Sequence, residues 1–173
     1  VLEFIASMSG YGYLSILLFV LIGTILTVVV QSSSAMMAIT LVMCAKGLIG
    51  FEVAAALVLG ENIGTTITAN MAAMMANATA KRAARAHLMF NVIGVVWMLV
   101  LFYPFLYLIS WIVEPNGGNG IHLAALSIPV ALSLFHSIFN IINTSVLVWF
   151  IPSIERIVSK IVPLNEKEEF GLK

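Results

Sequence analysis

The sequence predicts an all-α integral membrane fold, a helical bundle in which some helices are broken or re-entrant. Of the 173 residues, 61% are hydrophobic and only 9% are charged, whereas an ordinary soluble domain has about 25% charged residues. The charge-free stretches from Glu3 to Lys46 and from Arg85 to Glu114 exceed the roughly 20 residues that a helix needs to cross a bilayer. Two polar segments interrupt this apolar sequence, which is why broken helices are expected.

Charge and cysteine content narrow the classes of partner. Eight basic and eight acidic residues cancel to a net charge of zero, so nothing favours nucleic acid or another charged polymer as a partner. The single cysteine, Cys44, has no partner for an internal disulfide and is interpreted as a small packing residue. The chain does not start with Met, and residues 164–173 resemble the start of a cytoplasmic linker, so we expect a fragment of a longer protein.

The apolar runs, taken in chain order, predict the membrane segments. They are the span 13–30, the re-entrant helix 35–46, the broken helix 51–60 plus 65–80, the spans 86–113 and 121–151, and the interfacial helix 153–162. Residues 35–46 form only about three helical turns, too few to cross a bilayer alone. In the first span, Gly23, Thr24 and Thr27 give one face of small residues, which is typical of helix packing.

Turn and charge signals bound the last two spans. Residues 115–120, rich in Pro, Gly and Asn, predict the turn between them. Pro129 predicts a kink near the start of the second of these spans. Residues 153–162 carry Ile and Val at helical spacing with charges between, which predicts an amphipathic interfacial helix or a helical linker. The basic residues in 81–85 and in the C-terminal tail lie at the same end of the two spans, and the positive-inside rule places both in the cytoplasm.

The two polar segments, residues 31–34 and 60–66, are the candidate site. Non-helical backbone at membrane depth is tolerated only inside protein or beside a watery cavity, so paired breaks predict a binding site. Helices are expected to begin at Ala35 and near Ile67. Two helix N-termini, with the neighbouring Ser and Thr hydroxyls, would suit an oxyanion such as phosphate, sulfate or a carboxylate.

An anion held in a bilayer without Lys or Arg needs a cation to offset its charge. Sodium prefers oxygen ligands, and the side-chain carbonyl oxygens of Gln31 and Asn62 are candidates. Glu61 could add a carboxylate ligand, or it could be solvated or protonated at the mouth of a cavity.

A short pattern recurs in the last two spans. His87 and Asn91 in one span, and His136 and Asn140 in the other, are four residues apart and therefore share a helix face. In the second span this polar face continues through Asn143. Such a face either hydrogen-bonds to other helices or reaches a ligand, and the first interpretation is favoured.

The motif Gln31-Ser32-Ser33-Ser34-Ala35, followed by Gly60-Glu61-Asn62-Ile63-Gly64-Thr65-Thr66, resembles the sodium/phosphate cotransporter family, comprising the type II group and its bacterial relatives. A further stretch from Lys81 to Asn91 is similar to that family. The resemblance implies that residues 1–163 are one half of an inverted-repeat transporter. It implies phosphate ligands among Ser32, Ser33, Ser34, Thr65 and Thr66, and sodium ligands among Gln31, Ser33, Glu61, Asn62 and Thr65. Asn91, His136, Asn140 and Asn143 would form a supporting polar face.

The function implied by this resemblance is sodium-coupled cotransport of inorganic phosphate by alternating access. The expected location is the plasma membrane, or the inner membrane in a bacterium. The expected partners are sodium as the coupling ion, phosphate, the lipid bilayer, a second homologous repeat from a missing N-terminal half or another copy, and a C-terminal domain similar to the phosphate-regulation protein PhoU. No cofactor and no metal beyond sodium is expected.

Three alternatives remain open from the residues. The chain could transport another oxyanion such as sulfate, or it could be a non-transporting scaffold or phosphate sensor. An intramembrane hydrolase is disfavoured, because the sequence has no Gly-x-Ser-x-Gly motif and no Asp. We therefore expect a protein that is not an enzyme.

Overall fold

The computed structural model describes residues 12–115 and 120–163, which form helices joined by short turns. In chain order the helices are α1 (Tyr13–Val30), α2 (Ser33–Ala45), α3 (Phe51–Ala73), α4 (Ala78–Val100), α5 (Phe102–Val113), α6 (Ile128–Leu147) and, after a 3₁₀ turn, α7 (Ile151–Ile161). None of the described residues lies in a β-strand. Helix α1, helix α4 and the helical stretch formed by α6 and α7 are long and apolar enough to cross a bilayer. The predicted all-α membrane fold is confirmed.

Helix α3 lies at the centre of the bundle, and α1 packs along it. Every residue in the range 53–61 is buried. The two helices can approach closely because Gly23 on α1 and Gly60 and Gly64 on α3 have no side chains. A Cβ added at Gly64 would lie only 2.6 Å from the Cβ of Thr27. The face of small residues predicted in the first span is thus confirmed as a packing face.

An aromatic cluster holds the start of α3 against α5 and α6. The ring of Phe135 on α6 lies 6.3 Å from the ring of Phe51, 5.5 Å from that of Phe105 and 6.5 Å from that of Phe139, measured between centroids. All four side chains are buried. Because Phe51 begins α3, this cluster anchors one end of the helix, about 15 Å along its axis from Glu61.

The broken helix predicted for residues 51–60 and 65–80 is wrong, because α3 is continuous through this region. The side chains of Asn62 and Thr65 donate hydrogen bonds to carbonyl oxygens of their own helix, so these polar groups are satisfied without a break. The glycines serve the contact with α1 instead of a turn. No helix begins near Ile67, and the second of the two expected helix N-termini is therefore missing.

Helix α4 starts earlier and ends earlier than the predicted span 86–113. Its N-cap is Asn77, whose Oδ1 accepts a hydrogen bond from the backbone N–H of Ala80 at 2.9 Å. The basic residues in 81–85 consequently lie in the first turns of α4 and not at the end of the preceding helix. The helix ends at a break at Leu101, after which α5 begins.

Helix α6 begins at Ile128, so Pro129 lies in its first turn. Proline is tolerated there because the N–H that it lacks would have no intrahelical acceptor. The predicted kink is therefore wrong, and residues 121–127 precede the helix.

Helix α7 covers most of the segment predicted to be interfacial. Its residues Ile154 and Val158 are buried, whereas Arg156 and Lys160 are exposed, as expected for an amphipathic helix. Its position at a membrane surface stays a prediction. The predictions for residues 1–11, 116–119 and 164–173 lie outside the described residues.

Candidate functional site

A cavity of about 440 Å³ lies among α2, α3, α4 and α6, and we call it the polar cavity. Its polar lining consists of Ser33, Ser34, Glu61, Asn62, Thr65, His87, Asn91, His136 and Asn140, and Met37 and Phe90 complete it. Polar side chains gathered in a cavity of an apolar helical bundle indicate a binding site.

Helix α2 brings hydrogen-bond donors to the polar cavity. Ser32 is its N-cap, and the Ser32 Oγ accepts from the backbone N–H of Ala35 at 3.2 Å. Ser33 and Ser34 form the first turn and line the cavity. Backbone N–H groups in a first turn have no acceptor within the helix. The hydroxyls and the positive end of the helix dipole together suit an anion.

Helix α3 brings oxygen acceptors to the same cavity. Asn62 Nδ2 donates to the carbonyl oxygen of Val58 at 3.0 Å, and Thr65 Oγ1 donates to the carbonyl oxygen of Glu61 at 2.8 Å. With these donors occupied, the Asn62 Oδ1 and the lone pairs of the Thr65 hydroxyl remain available. An oxygen-only set of this kind suits a hard cation.

Glu61 is the acidic group of the polar cavity. Its side chain is only 2% exposed, and its Oε1 accepts a hydrogen bond from the Thr40 Oγ1 at 3.0 Å. No Lys or Arg lines this cavity within the ranges 12–115 and 120–163. A carboxylate buried without a partner of opposite charge is costly, so Glu61 requires a bound cation or a proton.

Helices α4 and α6 form the remaining wall with the same His and Asn pattern. Asn91 Nδ2 donates to the carbonyl oxygen of His87 at 3.1 Å, and Asn140 Nδ2 donates to that of His136 at 2.8 Å. Each amide therefore keeps its Oδ1 for another contact. The Nδ1 of His136 is buried and has no hydrogen-bond partner among the described residues.

Three predicted site residues on α1, α2 and α3 do not line the polar cavity. Gln31 ends α1 in the left-handed conformation, with φ of 57°, and its side chain is exposed. Ser32 serves as the cap of α2. Thr66 is fully buried, and its hydroxyl donates to the carbonyl oxygen of Ile63 at 2.6 Å.

Asn143 also lies outside the cavity, where it joins two helices. Its Oδ1 accepts from the Trp97 Nε1 at 3.0 Å, and its Nδ2 donates to the carbonyl oxygen of Phe90 at 3.4 Å. Gly94 leaves room for this amide, since a Cβ there would lie 2.6 Å from the Asn143 Nδ2. Asn143 thus braces α4 against α6, which agrees with the hydrogen-bonding interpretation of the polar face.

Comparison with known protein families identifies the group to which this arrangement belongs. The model of the Na+/Pi-cotransporter family matches residues 14–114, which include α1 to α5 and most of the polar cavity. The chain belongs to the Na+/Pi-cotransporter family. This is a family of transporters.

Relatives in this family are similar over different shares of the chain. YqeW of Bacillus subtilis, an uncharacterized protein, is 40% identical over 125 residues, which are 70% of this chain and 39% of that protein. YjbB of Escherichia coli, whose name describes a proposed inorganic phosphate exporter, is 32% identical over 157 residues, 91% of this chain and 26% of that protein. The rat sodium-dependent phosphate transport protein 2C is 41% identical over 95 residues, 52% of this chain and 16% of that protein.

This cotransporter-family chain therefore matches less than two fifths of the length of each of these relatives. No solved structure matches the chain.

The structure adds residues that the sequence analysis did not assign to the site. The polar cavity is also lined by His87, Phe90 and Met37. The hydroxyl of Thr40 donates a hydrogen bond to Glu61. The repeated pattern of His and Asn four residues apart indicates that His87 shares the polar face. Helical spacing was a signal for Met37 and Thr40, which follow Ser33 by four and seven residues on one face of α2.

Proposed function

We propose that this chain is one half of a sodium-coupled inorganic phosphate cotransporter that works by alternating access. The observation that carries the proposal is the composition of the polar cavity, which donors from α2 and oxygen acceptors from α3 line together. The hydroxyls of Ser33 and Ser34 and the N-terminus of α2 suit phosphate. The oxygens of Glu61, Asn62 and Thr65 suit sodium.

The geometry supports coupling of the two ions by simple electrostatics. Phosphate in this cavity meets no Lys or Arg from the described parts of the chain, and the carboxyl group of Glu61 adds negative charge. Sodium bound at the α3 side would offset both charges in a medium of low dielectric constant. Because coupling between two ligands is reciprocal, each ion would raise the affinity for the other.

A second homologous repeat, from elsewhere in the protein or from another copy, would complete the site. The match to only 26% of the Escherichia coli relative supports this view. The side-chain Nε of Arg82 donates to the carbonyl oxygen of Val162 at 2.8 Å, so the basic residues in 81–85 and the end of α7 lie together. We place this end in the cytoplasm, next to a C-terminal PhoU-like domain. Sodium is the coupling ion, and the proposed reaction requires no other cofactor and no enzymatic step.

The test is uptake of labelled phosphate by the full-length protein in proteoliposomes, driven by a sodium gradient. We expect Ser33→Ala to reduce sodium-driven uptake by about tenfold or more, because a hydrogen bond to a charged group contributes about 1.5 to 3 kcal/mol. The matched control is Ser133→Ala. The Ser133 hydroxyl donates to its own helix at the carbonyl oxygen of Pro129, 2.9 Å away, and does not line the cavity.

The outcomes separate the candidate functions. Uptake that does not depend on sodium, or equal uptake by both serine variants and the parent, would contradict the proposal. Phosphate binding without flux would favour a sensor, and equal competition by sulfate would favour a broader oxyanion transporter.

A further inference from the structure

A second cavity, of about 580 Å³, lies between α4 and α7, and we call it the α4–α7 groove. Its long wall is apolar and consists of Ala83, Ala86, Phe90, Ile151, Ile154 and Val158. A volume of this size is typical of sites for small organic ligands. The lining residues on α4 extend from Thr79 to Phe90, a distance of about 17 Å along the helix axis. This shape suits an alkyl chain that lies along α4.

Arg82 on α4 and the exposed Glu155 on α7 are the charged side chains that line the groove. Arg82 is half-buried, and its Nε donates to the carbonyl oxygen of Val162 at 2.8 Å. The remaining N–H groups of the Arg82 guanidinium have no acceptor among the residues that the structure describes. Helices α4 and α7 together carry five basic residues, Lys81, Arg82, Arg85, Arg156 and Lys160, and one acidic residue, Glu155.

An apolar groove that ends at an arginine matches a ligand with an alkyl tail and an anionic head. In a chain with membrane-spanning helices, the bilayer itself supplies such molecules, and basic pockets beside transmembrane helices are typical sites for anionic lipid head groups. We propose that the α4–α7 groove binds one acyl chain of an anionic phospholipid, whose phosphate is held by Arg82.

This site is next to the polar cavity. His87 and Phe90 line both the groove and the polar cavity, so the bound acyl chain would lie one side chain away from the proposed ion site. Lipid binding does not depend on the identity of the transported ion, and the proposal stands without the proposed transport function.

The test is native mass spectrometry of the full-length protein in detergent, titrated with phosphatidylglycerol or with phosphatidylcholine of the same acyl chains. We expect phosphatidylglycerol to bind about tenfold more tightly, because the choline cation of phosphatidylcholine offsets the charge of the phosphate that Arg82 holds, whereas phosphatidylglycerol carries no such cation. Arg82→Gln should remove this preference, and Arg82→Lys should keep most of it. Ala86→Phe should weaken binding of both lipids by filling the wall of the groove.

The matched control is Arg85→Gln. Arg85 is exposed, lies one turn further along α4 and does not line the groove, so its loss should change affinity by less than about twofold. Equal affinity for the two lipids, or equal losses in the two glutamine variants, would overturn the proposal. The proposal would also be overturned if the parent bound neither lipid and the cysteine of Ala86→Cys did not react with a maleimide in detergent. A protein segment would then fill the groove.

Discussion

The segments 31–34 and 60–66 are both polar interruptions of apolar sequence, but their backbone structures are opposite. At the first, α1 ends with Gln31 in the left-handed conformation, and Ser32 is extended, with φ of −149°, before α2 begins. At the second, the backbone stays helical through two glycines and four polar residues. Both segments contribute to the polar cavity, one through a helix N-terminus and the other through the side of a helix.

The difference lies in what the glycines and hydroxyls contact. The hydroxyl of Thr24 on α1 donates a hydrogen bond to the carbonyl oxygen of Gly60 at 3.1 Å. A side chain at position 60 would prevent the two helices from approaching this closely. The hydroxyls of Thr65 and Thr66 bond to carbonyl oxygens within α3, whereas the Ser32 hydroxyl accepts from a free N–H at a helix start. Glycine and threonine in a polar segment can therefore mark a close helix contact without any helix break.

The largest loss of stability in this comparison is expected from Gly60→Ala. The added Cβ would lie 2.7 Å from the backbone nitrogen of Thr24 and would also meet the carbonyl oxygen of Val20. Backbone atoms cannot move aside as a flexible side chain can, so we expect a loss of about 3 kcal/mol of stability. Thermal unfolding of the detergent-solubilised full-length protein, followed by size-exclusion fluorescence, measures it.

The matched control for that variant is Ala72→Val on the same helix. Ala72 is exposed, so the added methyl groups should change stability by less than about 0.5 kcal/mol. Similar melting temperatures for Gly60→Ala and the parent would show that position 60 does not need glycine for packing.

A smaller effect is expected from Thr40→Val, which removes the described hydrogen bond from α2 to Glu61. Both side chains are buried, and we expect a loss of about 2 kcal/mol because the carboxyl group loses a buried partner. The same thermal assay applies, with Thr68→Val as control. The Thr68 hydroxyl bonds to the carbonyl oxygen of Thr65 in its own helix, so its removal should cost much less.

A double-mutant cycle sharpens this test of Thr40. With Glu61→Gln in the background, Thr40→Val should lose less stability than it does alone, because the charge-assisted part of the bond is already absent. Strict additivity of the two substitutions would contradict a direct interaction between these side chains.

A still smaller loss of stability is expected from Ser32→Ala, which removes the α2 cap. We expect it to cost about 1 kcal/mol and Ser32→Asp to retain most of the stability. Hydrogen exchange at the backbone N–H of Ala35 should accelerate in the alanine variant, because that N–H donates to the Ser32 Oγ. Thr66→Val is the comparison within the other segment and should cost about 0.5 kcal/mol, because Thr66 caps no helix start. Equal effects of the alanine and valine variants would contradict the assigned difference between the two segments.

Much of the candidate site was accessible from sequence. The resemblance singled out Ser33, Asn62 and Thr65, and the structure brings all three to one cavity. Their roles as ligands remain proposals. Thr40 was not assigned, because its helical spacing from Ser33 indicates a shared face of α2 but not a contact with a buried acid 21 residues later. The continuity of α3 was missed because the glycine pattern of a tight helix contact is the same as that of a break.

The amino-acid sequence by itself determined the all-α membrane class, since a chain with 9% charged residues and long apolar runs can satisfy its backbone in lipid as helices. It also determined the break at Gln31 and Ser32, where a local cap satisfies the new helix start. Only the tertiary structure decided that residues 60–66 remain helical, because the glycines in this segment serve a close contact with α1 and not a turn. The same packing decided which polar side chains share the cavity, since these come from four helices that are separated along the chain.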